Sequence, residues 1–202
     1  CYYNMHKDNE ALDVFSKFLH DYPDPGMAGD VKYWFGEYYR AKGQYDKAAE
    51  YFYSVLKDSP PSDIADQSLY QVGVTFYDAL KDAESIRAFE DLVLKFPSSP
   101  LLKNAYRKIG KLKKRDGDLD SSIEYFKKSM TDDNNESNAQ IQYEIAESFE
   151  ENADLEGAAR EYIKVFKKYS KGLFWCVRAQ LRGAQLFEKL GKAGDAKILY
   201  EK

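Results

Sequence analysis

The chain has 202 residues, of which 44% are hydrophobic and 32% charged, enough to bury a sizeable core in one extended domain or two small ones. A net charge of -4 disfavours nucleic acid and anionic membranes as partners, and no apolar run approaches the roughly 20 residues that direct membrane insertion needs. The two cysteines, Cys1 and Cys176, show neither C-x-x-C nor metal-ligand spacing, and nothing in the chain points to a cofactor or a metal.

Apolar periodicity predicts helices over 8–21, 28–42, 45–58, 63–80, 83–96, 100–116, 119–131, 137–152, 155–169, 173–190 and 194–202. Three joints between them, "FLHDYPDPGMAG", "VLKDSPPSDIAD" and "LVLKFPSSPLLKNAYRKIG", are built alike. In each, an amphipathic run stops at a proline and another starts within a few residues. Proline forbids the first helix from continuing, and the Ser, Asp and Pro residues around it suit the start of the next.

The joints mark a repeat. A small residue followed four positions later by an aromatic occurs as Ala11/Phe15, Ala48/Phe52, Ser85/Phe89, Ser122/Phe126, Ala158/Tyr162 and Ala196/Tyr200, with the small residues 37, 37, 37, 36 and 38 apart. Twelve residues before each small residue, from Ala48 on, stand Gly36, Gly73, Gly110, Ala146 and Ala184. Gly43, Gly117 and Gly191 mark a turn seven residues after that position. The unit is a helix pair. Helix A carries Gly36, where a neighbouring backbone is expected to come close. Helix B carries Ala48 at the crossing and Phe52 one turn later in the groove, and the turn glycine supplies a left-handed cap. Eight residues after the aromatic, Pro23, Pro60 and Pro97 give way to Asn134 and Ser170.

This pattern resembles the tetratricopeptide repeat (TPR). In "YWFGEYYRAKGQYDKAAEYFYSVLKDSP" (33–60), Trp34, Gly36, Tyr39, Gly43, Tyr45, Ala48, Phe52 and Pro60 fall at the family's positions. The resemblance covers essentially the whole chain and implies an all-α fold, a right-handed α-α superhelix of antiparallel helix pairs. One array over 1–202 is expected, with complete repeats at 29–65, 66–102, 103–138 and 139–176 and partial repeats at 1–28 and 177–202. Tyr2 falls in the helix-A register and Lys202 inside the last helix B, so the sequence reads as a piece of a longer array. The lengthened repeat with its aromatic-Pro joint is similar to that of bacterial cell-envelope TPR proteins, such as the Tol-Pal coordinators and the outer-membrane assembly lipoprotein. A periplasmic or outer-membrane-associated location follows from that likeness, with the cytoplasm as the alternative.

Metallopeptidase, phosphate-loop and nucleophile-elbow motifs are missing from the sequence, and its only histidines are His6 and His20, so no enzymatic activity is expected. The resemblance instead implies binding of a protein or peptide along the concave face formed by the A helices. By register, that face carries Tyr33, Glu37 and Arg40, then Tyr70, Val74 and Tyr77, then Arg107, Lys111 and Lys114, then Tyr143, Glu147 and Glu150. The incomplete last repeat adds Arg178, Leu181, Gln185 and Glu188. The order is an aromatic zone, a basic band and an acidic band, an arrangement that orients a charged peptide. The basic band belongs to "KNAYRKIGKLKKR" (103–115), and a solvated face or an acidic-peptide site fits it better than nucleic acid. The carboxylate clamp of some TPR adaptors is broken here, because Glu144 stands where the clamp has asparagine. Two other roles are open: self-association through exposed array ends, and service as an accessory region of a larger enzyme or complex.

Overall fold

The computed structural model describes residues 8–21, 25–57 and 64–201. Its helices are α1 (Asp8–Asp21), α2 (Pro25–Ala41), α3 (Tyr45–Val55), α4 (Ala65–Asp78), α5 (Asp82–Lys95), α6 (Leu102–Arg115), α7 (Leu119–Ser129), α8 (Glu136–Glu151), α9 (Leu155–Lys168), α10 (Leu173–Lys189) and α11 (Ala193–Tyr200), with no strand among the described residues. Each predicted helix has its counterpart. α2 starts earlier than expected, at Pro25, because proline lacks only an N–H that the first turn leaves unpaired anyway. Cys1, Tyr2, His6, Pro23, Pro60 and Lys202 lie outside the described residues.

Two compact units divide the chain, Cys1–Leu101 and Leu102–Lys202. In the first, α2 packs on α3, α3 on α4 and α4 on α5; in the second, α6 packs on α7 and each later helix on its predecessor, with α8 also meeting α10. Even-numbered helices are the A helices and odd-numbered ones the B helices, α1 being a B helix. The helix-B aromatics are the core: Phe52 and Phe89 in the first unit, Phe126 and Tyr162 in the second, all fully buried.

The small residue on helix A makes room for that ring and not, as the sequence suggests, for a neighbouring backbone. A Cβ added at Gly36 would lie 2.5 Å from the Phe52 ring, one at Gly73 would lie 2.5 Å from Phe89, and one at Gly110 would lie 2.8 Å from Phe126. Where the crossing residue is serine, its buried hydroxyl needs a partner, and Ser85 Oγ donates to the Gly73 carbonyl at 2.8 Å.

Every A–B turn closes in the same way. An amide just beyond the helix reaches back five residues: Gln44 to Tyr39, Lys81 to Phe76, Asp118 to Lys113, Asp154 to Phe149 and Lys192 to Phe187, at 2.8–3.0 Å. The residue before each amide is left-handed, at Gly43 (φ 73°), Leu80 (57°), Gly117 (82°), Ala153 (59°) and Gly191 (71°). The turn therefore continues through the two repeats that lack its glycine.

The joints are not uniform. In the first unit Ser99, two residues beyond Pro97, donates to Asp66 at the start of α4 and accepts from the Leu101 amide. In the second unit the two residues that replace proline find each other: Asn134 Nδ2 donates to Ser170 Oγ at 3.1 Å. Asn135 caps α8 by accepting from the Asn138 amide at 2.8 Å. A side-chain ladder thus takes over from the proline stop.

Candidate functional site: the A-helix face

In the first unit the expected tyrosines serve the core as much as the surface. Tyr33 meets Phe52 edge-on with centroids 5.3 Å apart, and Tyr70 lies 5.5 Å from Phe89. Both are half-buried, and burial raises both phenol pKa values above their ordinary range. The Tyr33 hydroxyl accepts from Gln71 Nε2 at 3.1 Å, one repeat later. Arg40 bridges Glu37 on its own helix at 3.5 Å and Asp78 on α4 at 3.1 Å. Val74 and Tyr77 are half-buried on α4.

The second unit shows a tighter arrangement. Arg107 grips Glu144 with two hydrogen bonds, at 3.0 and 3.3 Å, and Lys111 reaches the same carboxylate at 3.2 Å. Lys114 lies 3.1 Å from both Glu147 and Glu151. Burial alone would lower the Lys114 pKa; the two carboxylates outweigh it and raise the value. On the next step, Arg182 makes a two-pronged contact with Glu150, which raises the arginine further above its ordinary value. Glu150 also accepts from the Tyr162 hydroxyl at 3.2 Å. Burial, with Tyr143 and the acids nearby, pushes the Tyr162 phenol far above its usual range. The basic and acidic bands read from the sequence are thus joined pairwise from one A helix to the next.

Tyr143 is 6% exposed, packed between Tyr162 at 5.1 Å and Trp175 at 5.3 Å. Over it lies Arg178, whose guanidinium stands 5.2–5.4 Å from the ring centroids of Tyr143, Phe174 and Trp175. Arg178 has no ion-pair partner among the described residues. Between α8 and α10, Tyr143, Tyr162 and Arg178 line a groove of about 550 Å³ with Glu147, Glu150, Glu151, Leu181, Arg182 and Gln185. Leu181 is 51% exposed there. Glu188 is exposed beyond it on α10.

Of the residues expected on this face, the groove gathers Tyr143, Glu147 and Glu150 with Arg178, Leu181 and Gln185. Lys114 buttresses its acidic side through Glu147 and Glu151, while Arg107 and Lys111 pair with Glu144, which does not line the groove. Tyr33, Glu37, Arg40, Tyr70, Val74 and Tyr77 belong to the other unit. Sequence reasoning missed Arg182 and Glu151 and saw Glu144 only as a clamp breaker. The missed signal is opposite charges about one repeat apart: Arg107/Glu144 are separated by 37 positions, Lys114/Glu147 by 33 and Arg182/Glu150 by 32.

Among the described residues, no helix is long and apolar enough to cross a membrane, and no cluster of His, Cys, Asp and Glu is arranged to hold a metal ion. His20 is exposed on α1. Cys176 is buried, its thiol raised by that burial and directed at the Tyr169 carbonyl at 3.2 Å.

The tetratricopeptide repeat family matches residues 3–63 and, separately, residues 67–99. No curated protein matches the sequence. Among solved structures, the chain is similar to MamA, with a TM-score of 0.65 and 18% identity over 86% of this chain and 88% of that one. PilF of Pseudomonas aeruginosa gives 0.63 and 15% identity over 98% of this chain and 83% of its own. PilW, described as a widely conserved type IV pilus biogenesis factor, gives 0.61 and 20% identity over 98% and 85%. At these identities the likeness concerns the fold, a TPR solenoid. Period, helix pairing and the two family matches agree that this is a tetratricopeptide-repeat protein.

Proposed function

We propose that this chain is a non-enzymatic scaffold that holds a partner protein or peptide in the groove of its A helices, in a bacterial cell envelope. TPR folds are scaffolds for protein contacts; the groove and the location are the further steps. The observation that carries the reading is the groove between α8 and α10. It offers an accessible Leu181, an arginine already oriented by three rings, and partly buried ion pairs that hold its walls in place. The envelope assignment is supported by the form of the repeat and by the pilus-biogenesis role described for PilW.

A photo-crosslinking amino acid placed at Leu181 or Gln185 in the native cell tests this, with Arg160, exposed on the B helix α9, as the comparison position. A discrete crosslinked partner from the groove positions, absent from Arg160, is expected. Crosslinks from Arg160 alone would overturn the assignment of the face, and fractionation of the same cells tests the location.

A second reading, self-association, has its own observation. Leu173, Phe174 and Val177 on α10 and Ile198 and Tyr200 on α11 are exposed. Tyr200 stands in the register where Phe52, Phe89, Phe126 and Tyr162 are fully buried. Sedimentation at several concentrations tests it, and a monomer throughout would remove it.

A further inference from the structure

The ion pairs of the second unit do not cancel evenly, and the imbalance has a direction. Around Glu144, two cations, Arg107 at 3.0 Å and Lys111 at 3.2 Å, share one carboxylate. Around Lys114, two carboxylates, Glu147 and Glu151, share one ammonium, each at 3.1 Å. Glu150 and Arg182 balance one to one. Arg178, at the level of Tyr143, lies against three aromatic rings and forms no ion pair among the described residues. Positive charge is therefore in surplus at the Tyr143–Glu144 level of α8, and negative charge is in surplus one to two turns further along the helix.

From Tyr143 to Glu151 is eight residues, about 12 Å along a helix axis at 1.5 Å per residue. An extended chain covers that distance in three or four residues at about 3.3 Å each. Leu181 and the edge of Tyr143 supply the apolar floor between the two poles.

We propose that this groove selects an extended peptide segment carrying an acidic and a basic side chain three or four residues apart with an apolar residue between them. The acidic side chain pairs with Arg178, whose planar donors suit a carboxylate. The apolar side chain rests on Leu181, and the basic side chain meets Glu147 and Glu151. The proposal rests on the reading of the groove as a partner site and adds the chemistry and orientation of the occupant. Opposed poles of this kind fix register more than they add affinity.

Fluorescein-labelled nonapeptides test it by anisotropy on the full chain. One carries glutamate and lysine four positions apart around a central leucine; the others replace the glutamate, the lysine or both with glutamine. The doubly charged peptide is expected to bind about tenfold or more tighter than either singly neutralised one, the scale of a charge-assisted hydrogen bond. Arg178→Glu should abolish the preference for the acid while keeping that for the lysine, and Glu151→Gln should weaken only the preference for the lysine. Both residues are exposed, so circular dichroism should be unchanged. Equal binding of all four peptides, or preferences untouched by the two variants, overturns the proposal. If no peptide binds while the Leu181 crosslink persists, the occupant's chemistry is wrong and the groove assignment stands. Loss of both removes both.

Discussion

The A–B turns give the most direct energetic test of the repeat. Leu80 occupies the left-handed position that Gly43, Gly117 and Gly191 fill in other repeats, with φ at 57°. A side chain there costs roughly 1–2 kcal/mol from the contact of Cβ with the following carbonyl. Leu80 is 74% exposed, so truncating it removes little burial. Against the relief stands the larger unfolded-state entropy of glycine, about 0.4–1 kcal/mol. Leu80→Gly should therefore stabilise the chain by about 0.5–1 kcal/mol. At this chain length that raises Tm by about 1–4 °C. Urea unfolding checks it through the midpoint at constant m-value, which separates a stability change from a change in compactness. The hydrogen bonds that define the turn, Lys81 N to Phe76 O at 2.9 Å and Leu80 N to Tyr77 O at 3.1 Å, involve only backbone and survive the change. Ala153→Gly, in the other unit, should add to it independently. A lowered midpoint for Leu80→Gly, with Gly43→Ala left neutral, would refute the reasoning, because it would mean that the backbone at this position is not held left-handed in solution.

Gly73→Ala places a Cβ 2.5 Å from the Phe89 ring, so a loss of about 1–3 kcal/mol is expected by chemical denaturation, partly recovered in Gly73→Ala/Phe89→Leu. Glu144→Gln leaves Arg107 and Lys111 facing a neutral amide from a largely buried position, and the second unit should lose stability while Arg107→Gln/Glu144→Gln recovers part of it; strict additivity in that cycle would deny the pairing. Cys176, buried and with its thiol raised, should resist thiol reagents at about pH 8 in a Cys1→Ser background until denaturant is added; immediate reaction would contradict the burial. Asp118 caps α7 through Ser121, whose hydrogen bonds hold its carboxyl below the ordinary value of 3.8. A lowered folded value means that this contribution is full above 3.8 and is lost as pH falls through the folded value. Asp118→Asn, which keeps a capping oxygen, should flatten that acid limb of the stability profile.

Helix positions and repeat spacing were legible because each repeat states the same packing problem again. Gly36, Gly73 and Gly110 recur because the same ring approaches each of them. The function of the left-handed turn was legible only where glycine occupies it. Leu80 and Ala153 hid two of the turns, since backbone hydrogen bonding around them is enough to hold the conformation. The candidate site was read less well, for a physical reason. A register says which residues lie on one face of a helix, but not what the next helix places against them. Tyr143 was legible as a face residue, yet Trp175 and Arg178 cover it. Glu147 was legible as an acid, yet it shares Lys114 with Glu151.

A scaffold of this kind gains specificity by dividing its positions between packing and charge. Positions that meet within one helix pair admit few residue types, because a buried ring and a small residue must fit each other; Phe52, Phe89, Phe126 and Tyr162 vary by little more than one hydroxyl. That hydroxyl is not idle. In the repeat that uses Tyr162, the phenol reaches Glu150, and Glu150 in turn holds Arg182 at the wall of the groove. A core substitution thereby fixes a surface charge in place. Charges joined across successive A helices then contribute rigidity, and in the proposed groove the unbalanced remainder, Arg178 at one level and the Glu147/Glu151 pair at another, would choose the ligand. On this division of roles, Tyr162→Phe should leave the fold and its thermal midpoint nearly unchanged while loosening Glu150 and Arg182. Partner binding would then weaken through the wall it borders, and unchanged binding in that variant would separate core from groove.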